Sequence, residues 1–336
     1  MIISLSEKHT VVSEGIRSEF YLKFENYFYP QLFDKYPLSW DKVFGREAPI
    51  IVEIGFGNGE YLEALAQENP DKNFIGFENS LTSIVKTLRR LERKSIKNVK
   101  LALADGRFCL RELFENDSVE KVIVNFPCPW SRKRHEDKRI AKADFFKTLG
   151  AILKKEGTFE LTTDDLQYAE RTKKIVQEFD FLSLGEFSVN PDRRIKTRYE
   201  IKWLKYGRNI YFLRVVKKYT IKVDKLLEGK SEMPHRKIPT EIANIDNLKT
   251  IKNQVFKEGK KVFVVKEVFE NTSKNYFVLK VIASDENIQQ HYFVDIFLKG
   301  KIWMIKLDSA SIPFRTPSVK FSVEKIANII SKAKSS

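Results

Sequence analysis

Residues Ile50 to Gly59 read IIVEIGFGNG. Ile50 to Ile54 are apolar except for Glu53, and Gly55, Gly57 and Gly59 then alternate with Phe56 and Asn58. A β-branched apolar run closed by glycines predicts a buried strand and a tight turn. The helix-forming stretch EYLEALAQEN follows directly, so the turn leads into a helix N-terminus. Glycine suits such a turn because the backbone must take positive φ or let another group come close. Glycines serving packing alone are the alternative, and an acid inside the strand beside three alternate glycines weighs against it. The spacing is not that of G-x-G-x-x-G.

Working outward, Asn73 to Phe77 predicts a second strand that ends in Glu78. A carboxylate about 20 residues past a glycine turn is where Rossmann-like sites hold a ribose hydroxyl pair. The next helix, Leu81 to Ser95, carries Lys86, Arg89, Arg90, Arg93 and Lys94 on its outer face. Val99 to Ala104 is a third strand, closed by Asp105. Glu53, Glu78 and Asp105 thus fall near the carboxyl ends of three successive strands, where open α/β sheets bind ligands.

Val119 to Phe126 predicts a fourth strand running into Pro127-Cys128-Pro129-Trp130. Two prolines around one residue fix an extended backbone. Arg132, Lys133, Arg134, His135, Lys138 and Arg139 follow. A charge run is usually a solvated face, but beside a predicted site it reads as a nucleic-acid contact. A helix over Ala143 to Leu153 and a strand over Thr158 to Thr163 come next, and Asp164 and Asp165 cap a helix reaching about Phe179. Leu182 to Val189 and Asn209 to Val216 form an antiparallel pair. The polar loop between them is too long for a plain connector, which favours function.

Before the glycine turn, residues 1–49 are an aromatic lead-in with a short helix around Ser18 to Phe28. Past Lys217 the composition becomes polar, charged and proline-punctuated. Residues 217–240 are therefore a linker between a first domain, 1–216, and a second, 241–336. In the second, four strands at about ten-residue spacing predict an antiparallel sheet, covered by a helix over Val319 to Lys332. No internal repeat is present.

The chain has 336 residues, 42% apolar and 31% charged, which fits a two-domain globular protein. The apolar runs are strand length, short of a membrane span. The N-terminus shows no signal-peptide pattern, and two cysteines, Cys109 and Cys128, give no disulfide framework. A cytoplasmic location follows. Few methionines beside abundant Lys, Glu and Ile resemble a thermophile's composition. Net charge is +15; residues 217–336 hold 23 basic against 13 acidic residues, and residues 1–216 hold 37 against 32. A basic excess in one segment fits a polyanionic partner, and charge alone fits lysine used for solubility equally well.

EIGFGNG, GFE, AD, FPCPWSRKRH, LTTDDLQYAE and TRYE occur in that order between Pro37 and Val216. Together they resemble the bacterial tRNA (guanine-N7)-methyltransferase family; the segment after 217 lies outside the resemblance. It implies an α/β fold with a Rossmann-like class I methyltransferase sheet, helices on both faces, and a smaller β-rich α+β C-terminal domain added. It implies S-adenosylmethionine as cofactor, held by Glu53, Gly55, Gly57, Glu78 and Asp105, the last at the adenine amino group. It implies tRNA as substrate, methylated at guanine 46 of the variable loop, with Arg132, Asp164, Thr197, Arg198, Tyr199 and Glu200 as substrate-binding positions. No metal or membrane is implied, and the protein is a monomer or homodimer.

The family's P-D-P-W motif carries an Asp held to be catalytic, and here that position is Cys128. Guanine N7 has a free lone pair, so transfer takes no proton from the nucleophile, and placement of that lone pair supplies most of the rate. Loss of the Asp should slow rather than forbid the reaction. Alternatives are a covalent role for Cys128, a tRNA-binding paralogue with weakened catalysis, and methylation of an exocyclic amine. The last needs a good proton acceptor, which a cysteine is not.

Overall fold

The computed structural model describes residues 24–130, 139–227, 229–286 and 288–331. Arg132, Lys133, Arg134, His135 and Lys138 lie outside the described residues, as does most of the expected helix around Ser18 to Phe28. Its described end is not helical: Tyr27 bridges Leu101, and Asn26 Nδ2 donates to the Ile96 and Val99 carbonyls at 2.8 Å each. This stretch covers a sheet edge, which would otherwise expose unpaired backbone groups.

The chain divides into two compact units. The first takes residues 24–29 and 37–225 and the second residues 30–36 and 226–331. A two-residue strand, β1 (Lys35–Tyr36), belongs to the second. The first unit opens with helix α1 (Trp40–Phe44) and proceeds through β2 (Ile50–Ile54), α2 (Glu60–Glu68), β3 (Asn73–Glu78), α3 (Leu81–Arg93), β4 (Val99–Leu103) and α4 (Gly106–Leu113). It continues through β5 (Val119–Asn125), α5 (Ala143–Ile152), β6 (Leu153–Thr163), α6 (Leu166–Gln177), β7 (Leu182–Val189), α7 (Arg198–Lys205) and β8 (Tyr211–Lys217).

Seven strands form one sheet in the order β4-β3-β2-β5-β6-β8-β7. The first five are parallel, and β8 runs antiparallel to both β6 and β7. Strand order reverses between β2 and β5, so a crevice opens at their carboxyl ends. Side chains alternate across a strand, and the two faces of β2 are covered by different helices. Ile51 packs with Leu62, Leu88 and Leu91 of α2 and α3. Ile54 instead meets α4, where a Cβ on Gly106 would lie 2.5 Å from its side chain. On the α4 face, Trp40 stacks on Phe114 at 4.7 Å, and Phe77 meets Phe114 and Phe28 edge-on.

The loop expected between the last two strands of this sheet is partly helical, because α7 lies within it. Thr197 and Glu200 form a capping box, each side chain bonded to the other's backbone N–H. The first unit also runs past the composition change at Lys217. That side chain is fully buried, donating to Asp117 Oδ1 at 2.7 Å and to the Ala151 carbonyl at 3.3 Å.

In the second unit, β9 (Gly229–Lys230) pairs with β1. A six-stranded antiparallel sheet follows: β10 (His235–Pro239), β11 (Val255–Glu258), β12 (Lys261–Glu270), β13 (Tyr276–Asp285), β14 (Ile288–Lys299) and β15 (Ile302–Leu307), in the order β10-β15-β14-β13-β12-β11. Helix α8 (Pro317–Ile330) packs Val319, Val323, Ile326 and Ile330 against Phe263, Leu279, Val294 and Ile305. Four strands were expected, and the sheet has six. The additional edge strands are short and polar, and β10 falls in the stretch expected to be a linker. No helix among the described residues is long and apolar enough to cross a membrane.

Candidate active site

The glycine turn sits at the carboxyl end of β2. Gly55 and Gly57 have φ of +71° and +55°, and a Cβ on either would meet nothing within 4 Å. Glycine is required there by backbone conformation, and the turn leaves open space on that side. Glu78, at the end of β3, braces the turn. Its Oε2 accepts from the Gly57 N–H at 2.9 Å, and its Oε1 from the N–H groups of Asn79 and Ser80 at 2.8 and 3.1 Å.

Asp105 is the N-cap of α4. Its Oδ1 accepts from the N–H groups of Arg107 and Phe108 at 2.8 and 3.2 Å, and its Oδ2 lies 3.7 Å from the Arg107 guanidinium. One carboxylate oxygen thus serves the helix.

Glu53 points from β2 into a buried polar network. It is 1% exposed; Asn125 Nδ2 donates to its Oε1 at 3.0 Å, and its Oε2 has no hydrogen-bond partner among the described residues. Burial raises its pKa to about 7, opposed by the Asn125 bond and the nearby Arg193 charge. Arg193 is the hub of this network. Its Nη1 donates to Thr162 Oγ1 at 2.7 Å and to Glu200 Oε2 at 3.1 Å, and its Nη2 to the Tyr61 hydroxyl at 2.6 Å. It also lies over the rings of Tyr61 and Phe212. Glu200 is buried, and burial raises its pKa against the pull of Arg193. The loop Arg193 to Glu200 was expected to flank the methyl site's entrance, but the inward bonds of Arg193 and Asn125 were not foreseen, because their partners are scattered from residue 53 to residue 200.

A second space opens at the ends of β5 and β6. Phe126 and Trp130 have φ of +49° and +45°, sparsely populated conformations flanking Pro127, Cys128 and Pro129. Cys128 is exposed. With Asp164, Tyr199, Trp203 and Arg208 it lines an open cavity of ≈ 830 Å³. Arg208 Nη1 donates to Asp164 Oδ2 at 3.1 Å and its guanidinium lies 4.2 Å from the Trp203 ring centroid. Tyr199 is 60% exposed and stacks on Phe126 at 6.1 Å. The structure therefore brings Cys128, Asp164 and Tyr199 together. Asp165 caps α6 by accepting from the Tyr168 N–H at 2.8 Å, and lines the cavity beside Asp164.

Three expected contacts lie elsewhere. Thr197 and Glu200 hold the α7 cap, and Arg198 lines a neighbouring basic pocket. Arg139, expected to touch nucleic acid, is 6% exposed. It donates through Nε to the Pro129 carbonyl at 3.0 Å and through Nη2 to that of Trp130 at 2.9 Å. Its guanidinium props up the Pro-Cys-Pro-Trp backbone, so it is withdrawn from solvent.

A parallel sheet in this order, with a glycine turn and acids at the switch point, is a nucleotide-cofactor fold. A family model described as a methyltransferase matches residues 47–213, and places the first unit in that class. The tRNA (guanine-N(7)-)-methyltransferase of Thermotoga maritima is 43% identical over 300 residues, 88% of this chain and 94% of that protein. Proteins of the same name from Coprothermobacter proteolyticus and Aquifex aeolicus are each 30% identical, over 306 and 288 residues. They cover 90% and 83% of this chain and 92% and 93% of their own lengths. The chain belongs to the tRNA (guanine-N(7)-)-methyltransferase family. These alignments are longer than the stretch up to Lys225, so the likeness runs into the second unit, past the limit expected at Val216.

Proposed function

We propose that this chain transfers the methyl group of S-adenosylmethionine to N7 of a guanine in tRNA, at position 46 of the variable loop. The likeness to the Thermotoga maritima protein over 94% of its length carries this reading. The residues fit the cofactor. Gly55 and Gly57 leave an open cradle, and Glu53 presents a buried carboxylate oxygen without a partner among the described residues, suited to an ammonium group. Among the described residues Glu78 Oε2 accepts one bond, from the Gly57 N–H, and keeps a lone pair for a ribose hydroxyl.

When bound, S-adenosylmethionine supplies an electrophilic methyl on a sulfonium. Cys128, Asp164, Tyr199, Trp203 and Arg208 receive the guanine. Tyr199 and Trp203 offer ring faces on which a base stacks, worth about 1–3 kcal/mol per base. The Asp164 carboxylate accepts from the guanine's N1 and N2 hydrogens. It also stabilises the positive charge that the ring gains as the N7–carbon bond forms. N7 has no proton to lose, so the site needs no base at Cys128, and the thiol only fills space beside the base.

The test is direct. Unmodified tRNA is incubated with methyl-labelled cofactor and the product nucleoside is mapped. 7-Methylguanosine at position 46 is expected; a different nucleoside or no transfer overturns the reading.

A further inference from the structure

Helix α3 carries Lys86, Arg89, Arg90 and Arg93 at i, i+3, i+4 and i+7, along one exposed stripe. With Asn58 of the glycine turn and Arg198 at the start of α7, they enclose a pocket of ≈ 310 Å³. Gathering like charges at helical spacing costs stability, and the protein offsets only part of that charge. Glu60 lies 3.6 Å from Arg90 and 3.2 Å from Arg198, and Glu63 lies 3.3 Å from Arg90. Lys94, next to the pocket, is also held by Glu63. Lys86, Arg89 and Arg93 make no ion pair among the described residues.

Two carboxylates thus fix the orientation of two arginines, and three cations remain for an anion from outside. The position of Arg198 says which anion. Its neighbour Tyr199 lines the Cys128 cavity, so the first turn of α7 presents one residue to each space. A nucleotide joins the same two chemistries, a base that stacks and a phosphate that pairs with guanidinium groups.

We propose that the α3 pocket seats backbone phosphates of the tRNA nucleotides that adjoin the guanine bound at Tyr199. The proposal rests on the reading of the Cys128 cavity as the guanine site. It adds a binding site that positions the strand without reading its sequence.

The experiment uses the full chain with Arg89→Gln, Arg93→Gln and the double variant. It measures tRNA affinity across salt concentrations, the tRNA KM, and cofactor affinity by calorimetry. For every phosphate that a variant no longer neutralises, the plot of log affinity against log salt should flatten by about 0.7–0.9, and the double variant should flatten it by about twice that. The double variant should also raise the tRNA KM about tenfold, with cofactor affinity unchanged. Arg89→Lys should restore the slope, because the charge remains, which separates the effect from a folding defect.

An unchanged slope overturns the proposal. Weakened cofactor binding would assign the pocket to the cofactor's own carboxylate and overturns it as well. So would tight binding of inorganic phosphate that is abolished in Arg89→Gln while the tRNA slope stays put. A wild-type protein that binds tRNA but leaves it unmethylated would defeat the proposed function. The slope is read without turnover, and reports on the pocket in that case too.

Discussion

Cys128 stands exposed between two prolines in a cavity that already contains a carboxylate, Asp164. Because N7 keeps no proton, Cys128→Ser should leave turnover nearly unchanged, and Cys128→Asp should keep or raise it by adding a second negative group. A covalent RNA adduct trapped on the wild type, with Cys128→Ser inactive, would sink this view. Glu53 is set by burial. Its pKa of about 7 lies above the ordinary 4.5, so the buried protonated form is favoured. The stability this gives is fully present below about pH 4.5 and is lost as pH rises through 7. The melting temperature of wild type relative to Glu53→Gln should therefore decline between pH 5 and pH 8. Cofactor affinity should move the other way, rising roughly tenfold from pH 6 to pH 8 as the carboxylate ionises to meet an ammonium. Calorimetry at the two values checks it, and a flat affinity profile would remove Glu53 from the cofactor site. Glu53 was legible as an acid inside an apolar strand. Arg193, which holds Glu200, Thr162 and Tyr61 together, was not, since a lone arginine in a polar loop looks solvated until its partners converge.

Helix α7 lies in the stretch before β8 that the sequence shows only as a long polar loop. Its eight residues are mostly charged or aromatic, and only Glu200 is buried, so apolar periodicity gives little signal. The local chemistry was nonetheless present in T-R-Y-E, where Thr197 and Glu200 satisfy each other's backbone. Thr197→Ala should cost about 1 kcal/mol, fray the turn bearing Arg198 and Tyr199, and raise the tRNA KM more than it alters cofactor affinity. Hydrogen exchange at Arg198 to Ile201 reads the fraying directly, and unchanged protection there would refute the cap's role. Strands β2 to β5 were legible because each is a short, largely apolar run with an acid, a proline or a glycine at its end or within two residues of it. The edge strands β10 and β11 were not, since an edge buries little and carries no apolar pattern.

At the scale of the molecule, one face of the second sheet is covered by α8. The other carries Tyr276 stacked on Phe297 at 6.1 Å, Lys306 over the Phe297 ring and an exposed Lys280. We propose that this unit adds affinity for the tRNA body and takes no part in chemistry. Lys280→Gln should then flatten the salt dependence of tRNA binding by about 0.7–0.9 with the melting temperature unchanged. A retained slope would leave the unit a purely stabilising role. Its basic excess was legible in composition, but its boundary was not, because residues 30–36 join it from across the chain. Arg315 is 3% exposed; it donates to the carbonyls of Gln31 at 3.0 Å and Phe33 at 2.8 Å, and lies 3.3 Å from Asp34 Oδ1.

That clasp has a consequence for synthesis. Asp34 and Arg315 are 281 positions apart, and at ~5–20 residues per second a ribosome makes the second on the order of 15–60 s after the first. The methyltransferase sheet, complete by Lys217, can close in that interval, while the segment ahead of it waits for a partner not yet translated. Synthesis of the stretch that carries Arg315, rather than closure of the catalytic fold, therefore sets the moment at which the earliest described part of the second unit is finished.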